Sequence, residues 1–441
     1  MAASSNIRIV VNSIIDGSNG SESIDSIVQK INTARQSVEL LREENLRYER
    51  IRDQYIIHLQ QCQEDHNRLR QIYKKLRLKF DLCTKNFPNN LEQNTAQNTT
   101  QALLTNVQVT SQTPKLINIQ LTPQITSLSE SFPPTNVTLR HAISTSSVIC
   151  TVQFSSDGSK VAFADGFSIY IINPETGESI STIPLPTSQD SHNQYTRALQ
   201  FSPDDKLLAL SGPNNTLLLY NINSKSLIHT FEGHTKEINS VVFSADGKWV
   251  ISGGYDGVIN VWDTSNFSQV KRLVHGNGQN DGIIVRIATT PEVPFYAVGF
   301  HNGKIGIYSD TFDQPMTSFP GHQQQLLCIA VSPFDDTIAT VAQDNALKVW
   351  MVRGVATLRH TLEGHTDFPL VVAFSPKEPL MFTGSKDKTI RIWNHKTGEA
   401  LCVINAHQDT VFQISHHPTQ KAFVSCSGDG FVCIWDYQSQ K

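Results

Sequence analysis

The chain has 441 residues, a formal charge of −4 and only 17 % charged residues. It is too long for one ordinary hydrophobic core, and it lacks the basic field that direct nucleic-acid binding requires. Seven scattered cysteines, with one close pair (Cys426 and Cys433) and no second pair to complete a zinc site, read as reduced thiols of an intracellular protein. The apolar run Ile7 to Ile15 is broken by Arg8, Asn12 and Ser13 and has no cleavage site after it, so no signal peptide is expected, and no stretch suits a membrane span. Cytosol and nucleus both stay open on composition alone.

The N-terminal region, residues 1–87, follows a helical period. Ile24, Ile27, Ile31, Ala34, Val38, Leu41, Asn45, Tyr48, Arg52, Tyr55, Leu59, Cys62, His66, Leu69, Tyr73, Leu76, Phe80, Cys83 and Phe87 succeed one another at steps of three or four, with no Pro or Gly from Ser21 to Phe87. This predicts a helix about 95 Å long with one apolar seam. A single helix cannot cover such a seam, so a coiled-coil oligomerisation domain is expected. Ile24 to Leu41 is its aliphatic part. Asn45 is placed to set register, and the rings of Tyr48, Tyr55, Tyr73 and Phe80 are wide for a two-stranded core. The turn residues Asp16 to Gly20 set off a short first helix, and folded back it suits a tetramer. Dimer and tetramer both fit the pattern.

Pro88 ends the helix. Residues 88–135 are rich in Asn, Gln, Thr, Ser and Pro, with Glu92, Lys115 and Glu130 as their charges. Such a composition predicts a disordered linker.

A repeat dominates residues 136–441. Aromatic residues that close alternating β-runs fall at Tyr170, Tyr220, Trp262, Tyr308, Trp350, Trp393 and Trp435, spaced by 50, 42, 46, 42, 43 and 42 residues. Seven closures predict seven four-stranded units arranged radially: an all-β seven-bladed propeller preceded by the coiled coil. Four units share a fuller pattern: His234, Ser252, Asp256 and Trp262; His322, Thr340, Asp344 and Trp350; His365, Thr383, Asp387 and Trp393; His407, Ser425, Asp429 and Trp435. In each, the hydroxyl residue stands ten positions before the Trp and the Asp six before it. This is the WD40 grammar. Its chemistry is a hydrogen-bonded chain through indole, hydroxyl, imidazole and carboxylate that pins the strands of a blade. The same residue types compose hydrolase triads, but fourfold recurrence at fixed spacing is a structural signature.

Three units depart from the pattern. The first has Asp165-Gly166 and a shortened turn before Tyr170. The second has Leu210 and Asn214, and the fourth has Val298 and Asn302, where the hydroxyl and Asp stand elsewhere. Strand packing is expected to hold these blades more than a network. The last unit ends soon after Trp435, which leaves it one outer strand short, and the β-prone stretch from Val137 to Ala142 is expected to supply that strand. No metal cluster, phosphate loop or nucleophile motif is present, so neither enzymatic activity nor a cofactor is expected. Large or charged residues beside the Asp turns and the His loops have no structural duty. Tyr195, Lys236, Tyr255, Phe300, Gln343, Phe368 and Lys386 are therefore candidates for a partner-binding face.

The combination resembles the Tup1-like transcriptional corepressors. The similarity rests on domain order, on His141 and the run Ser147 to Gly158 at the start of the first blade, and on Ile27 to Tyr55 with Arg35, Glu43, Glu44, Asn45 and Leu46 in the helix. The resemblance implies a nuclear protein that tetramerises through residues 1–87 and binds a tetratricopeptide-repeat corepressor there. It implies docking of sequence-specific DNA-binding repressors on the propeller face, through residues such as Tyr255 and Lys386, with histone tails and histone deacetylases as further partners and no DNA contact of its own. The alternative is a cytoplasmic scaffold or adaptor for trafficking, autophagy or cytoskeletal complexes.

Overall fold

A computed structural model describes residues 123–438, apart from 131, 134–135, 146, 187–194 and 277–281. The expected coiled coil and the linker as far as residue 122 lie outside the described residues. The described chain forms seven antiparallel sheets, over residues 151–184, 199–231, 238–274, 284–320, 326–362, 369–405 and 411–437, here the first to seventh blades. The strands of each blade are counted outward from the axis. Each first strand packs on the first strand of the next blade, and Val411–His416 of the seventh packs on Thr151–Phe154 of the first, closing the ring.

Position in the blade sets the strand composition. The second strands Thr337–Ala342, Leu380–Ser385 and Ala422–Ser427 are buried at every residue, because neighbouring blades cover both faces. Small and apolar residues fill them continuously. The fourth strand Gln269–Val274 lies on the rim and has no buried residue. The third strands carry the periodic aromatics. Trp393 and Trp435 are among the largest fully buried side chains.

The turns between second and third strands demand unusual backbone. Gly257 and Gly303 follow Asp256 and Asn302 at φ +72° and +83°, and a Cβ on Gly303 would stand 2.3 Å from the His322 carbonyl oxygen. Asn345 and Lys388 take the same left-handed conformation in the fifth and sixth blades, at φ 61° and 72°.

The ring closes as its periodicity requires. Val137–Ser144 pairs antiparallel with Phe431–Tyr437, from Val137↔Tyr437 to Ser144↔Phe431, with a bulge between Leu139 and His141. Arg140 stands in that bulge. Its guanidinium donates to both carboxylate oxygens of Asp436 and reaches Glu175 Oε1 of the first blade at 2.9 Å. His141 Nε2 donates to the Glu175 carbonyl at 2.8 Å. Other outer strands lean on the following blade from the same register position: His360 Nε2 donates to Lys396 O at 3.0 Å, Lys271 Nζ donates to Thr311 O at 2.8 Å, and His229 stacks on Phe267 with centroids 4.6 Å apart.

The ordered β structure begins earlier than residue 136. Gln124–Ser127, inside the segment expected to be a linker, forms a strand on the outer edge of the sixth blade, and Phe132 is buried at 2 % exposure. Composition hid this. A four-residue strand supported by an edge needs backbone donors and acceptors more than a hydrophobic core.

Candidate docking face

Strand alternation sends two sets of loops to one face of the ring: the turns between second and third strands, and the connections leading into each first strand. The Asp of each four-residue set stands in the former and the His in the latter, so the network joins them just beneath that face.

The geometry is the same four times. Trp262 Nε1 donates to Ser252 Oγ at 3.0 Å, Ser252 Oγ is 2.8 Å from His234 Nε2, and His234 Nδ1 is 3.0 Å from Asp256 Oδ2. In the fifth blade the corresponding distances are 2.9 Å, 2.8 Å and 2.8 Å through Trp350, Thr340, His322 and Asp344. They are 2.8 Å, 2.7 Å and 2.9 Å through Trp393, Thr383, His365 and Asp387, and 3.0 Å, 2.9 Å and 3.1 Å through Trp435, Ser425, His407 and Asp429. Proton bookkeeping fixes the direction. The indole N–H donates to the hydroxyl oxygen, the hydroxyl proton goes to Nε2, and Nδ1–H goes to the carboxylate. Turn amides complete the carboxylates: Thr235 N and Val258 N donate to Asp256, and Thr366 N and Thr389 N donate to Asp387.

Burial pushes these carboxyls up, but the His donors and the turn amides outweigh it and hold Asp256, Asp387 and Asp429 below the usual range. Burial also outweighs the Asp contacts at His322 and His365 and lowers both imidazoles. In the sixth-blade set the resting state is therefore a neutral His365 beside an ionised Asp387. Catalysis is not available to these sets. Ser252, Thr340, Thr383 and Ser425 are all 0 % exposed, and each hydroxyl is already engaged by an indole and an imidazole, with no place for a substrate carbonyl.

The three divergent blades use other devices. In the first, Asp165 Oδ1 accepts from the amides of Phe167 and Ser168, and Oδ2 accepts from Tyr170 O–H at 2.9 Å. That blade has its own shortened network rather than packing alone. Burial, followed by Asp165, pushes the Tyr170 hydroxyl up to about 12. In the second, Ser211 Oγ accepts from the amides of Arg197 and Ala198 at 2.9 and 3.1 Å. In the fourth, His275 meets rings, with Phe300 at 5.1 Å and Tyr308 at 5.9 Å.

Phe300 is therefore not a face residue. It is 5 % exposed and belongs to the core cluster of Tyr296 and Tyr308. Its pairing with Ile284 matches that of Gly254 with Ile238, two positions before the turn Asp or Asn, whereas Tyr255, Gln343 and Lys386 stand one position before it. The fourth-blade equivalent of those three is His301. The backbone amides of Tyr255, His301, Gln343 and Lys386 each donate to a carbonyl just before or at the start of the blade's first strand, at 2.9–3.0 Å. The structure places Tyr195, Lys236 and Lys386 exposed on this face and Tyr255, Gln343 and Phe368 half-buried at it. Lys386 Nζ lies 5.4 Å over the Phe368 ring and 3.4 Å from Asp367 Oδ2. Sequence reasoning missed Phe167. It is 54 % exposed, and Tyr195, at 52 %, lines a small hollow next to it with Gly166, Leu185, Pro186, Thr196, Ser211, Gly212 and Pro213. Its signal was the large apolar residue directly after Asp165-Gly166, in a turn too short to bury it.

Among the described residues, no group of three or more His, Cys, Asp or Glu side chains is placed to hold a metal ion, and no helix is long and apolar enough to cross a membrane.

Four stacked indole–hydroxyl–imidazole–carboxylate sets on a seven-bladed ring define a propeller carrying WD40 repeats, a class of protein-interaction scaffold. The family model "WD domain, G-beta repeat" matches residues 225–263, 313–351, 356–394 and 398–436. Each match runs from the outer strand of one blade through the third strand of the next, so the sequence repeat staples neighbouring blades. The chain is similar to the target of rapamycin complex subunit wat1 of Schizosaccharomyces pombe, 38 % identical over 109 residues, covering 24 % of this chain and 34 % of that protein. It is similar to transcription factor unc-37 of Caenorhabditis elegans, 26 % identical over 161 residues, covering 36 % and 25 %. The target of rapamycin complex subunit LST8 of Saccharomyces cerevisiae matches at 25 % identity over 234 residues, covering 43 % of this chain and 77 % of that protein. The chain thus spans about a third or less of the length of wat1 and unc-37.

Proposed function

We propose that this protein is a transcriptional corepressor scaffold, self-associating through residues 1–87 and receiving DNA-bound repressors on the propeller face. The observation that carries this reading is the face itself. Four buried networks tie its turns, and Tyr195, Phe167, Lys236 and Lys386 stand exposed on it. The periodic seam from Ile24 to Phe87 supports self-association, with a tetramer and a tetratricopeptide-repeat corepressor as expected partners of that region. Histone tails and histone deacetylases follow as partners of the assembled complex, and the nucleus as its place. The similarity to a protein named transcription factor unc-37 supports the same reading.

A specific observation favours a second reading. Two relatives bear the name of target of rapamycin complex subunits, and the match spans 77 % of LST8. On that reading the same face serves a cytoplasmic signalling scaffold. Affinity purification of the tagged full-length chain from separated nuclear and cytoplasmic fractions decides between them. Nuclear recovery with a tetratricopeptide-repeat protein, histone deacetylases and sequence-specific DNA-binding proteins is expected. Recovery only from cytoplasm, with none of these, contradicts the corepressor reading.

A further inference from the structure

Among the described residues, the sixth blade has five strands and each of the other blades four. The fifth, Gln124–Ser127, lies antiparallel on Ala400–Asn405 in the register Gln124↔Asn405, Ile125↔Ile404, Thr126↔Val403 and Ser127↔Cys402. The blade is complete without it. Its hold is mostly main chain. Pairing continues through Leu128 N, which donates to Leu401 O at 2.9 Å, while its four side chains alternate between exposed and half-buried. Ile125 alone among them packs against the core. With Gln124–Ser127 in place, Leu401, Cys402 and Ile404 are at most 5 % exposed, and neither strand carries a charge. Cys402 also occupies the register position from which His141, Lys271 and His360 reach the next blade. In the seventh blade no chain-continuous turn joins the third strand to the outer one. Gln438 N donates to Asn136 O across the gap, and Phe132 joins the apolar cluster of Leu401, Cys402 and Tyr437.

We propose that the outer edge of the sixth blade is a strand-addition site for an extended, uncharged segment of a partner protein carrying an aliphatic residue in the place of Ile125. Gln124–Ser127 is its resident competitor. Main-chain pairing supplies the affinity of such a site, and the apolar contact that Ile125 makes with the core, beside uncharged strands, supplies the selection. The resident strand, tethered close by, competes at a high effective concentration and keeps the edge from indiscriminate pairing. The proposal holds independently of which cellular role the propeller face serves.

The test uses the full-length chain and a fluorescent synthetic peptide of residues 122–129 in which a diazirine leucine analogue replaces Ile125. Binding is measured to the wild type and to Ile125→Asp and Ile125→Gly, whose substitutions fall outside the four complete strands. The half-saturating peptide concentration is expected to be at least tenfold lower for both variants than for the wild type, with crosslinks mapping to residues 400–405. Equal or absent binding to the wild type and to variants whose thermal unfolding is unchanged, or crosslinks placed elsewhere, overturns the proposal.

Discussion

Thr383 joins two groups that have no other partner in the sixth-blade set, the Trp393 indole N–H and His365 Nε2, at 2.8 and 2.7 Å. Thr383→Val keeps the shape and orphans both, so it is expected to cost about 2–3 kcal/mol, seen as a lowered midpoint in chemical denaturation. The second blade has Leu210 at the corresponding place, fully buried and without a His set to satisfy, which shows that the cost lies in the orphaned partners and not in an apolar residue there. Protonation acts on the same sets. His322 and His365 titrate below the free value of 6.5, so the fold prefers them neutral. Their contribution is complete above pH 6.5 and is lost as the pH falls below it. Asp256, Asp387 and Asp429 are depressed from 3.8, so theirs is complete above that value and lost as the pH falls further. Both terms have the same sign. Calorimetry is expected to show a melting temperature that declines from pH 7 to 5 and more steeply below 4.

Single strands and turns decide how the ring holds. Arg140 ties the closing strand to Asp436 and also to the first blade through Glu175. Arg140→Ala is expected to raise amide exchange along Val137–Ser144 and Phe431–Tyr437 while leaving the third blade unchanged. Gly303→Ala drives a Cβ against the His322 carbonyl oxygen. It is expected to cost at least about 2 kcal/mol, measured by denaturant titration. The closing strand was legible in sequence because a periodic array that stops one strand short needs a donor, and Val137 to Ala142 was the β-prone stretch at the other end. The Gln124–Ser127 strand was not legible. It has no alternating pattern of its own, and an edge strand takes its support from a blade whose sequence lies almost 280 residues away. Phe300 was misplaced by one position: His301 directly precedes Asn302, whereas Phe300 pairs with Ile284 and packs with Tyr296 and Tyr308. The four repeated sets were legible as a pattern, because a buried polar chain tolerates few residue types and repeats them at fixed intervals, whereas the Asp165–Tyr170 bond of the first blade, outside that pattern, was not.

At the scale of the molecule, the ring gives a platform of tied turns, and the docking face proposed above would give it selectivity. Rigidity matters because loops already ordered by His–Asp bonds lose little entropy when a partner docks. The face candidates therefore divide into two kinds with different expected behaviour. Buried Phe300 supports the fold, whereas Tyr195 and Lys386 are exposed and within reach of a partner. The most direct test compares the proteins captured by the wild-type chain with those captured by the double variant Tyr195→Ala, Lys386→Glu, alongside Phe334→Ala on the opposite side of the fifth blade. Loss of the captured partners from the double variant alone, with its melting temperature unchanged, is the predicted result. Retention of those partners by the double variant, or their equal loss from the Phe334→Ala control, would contradict the assignment of the docking face.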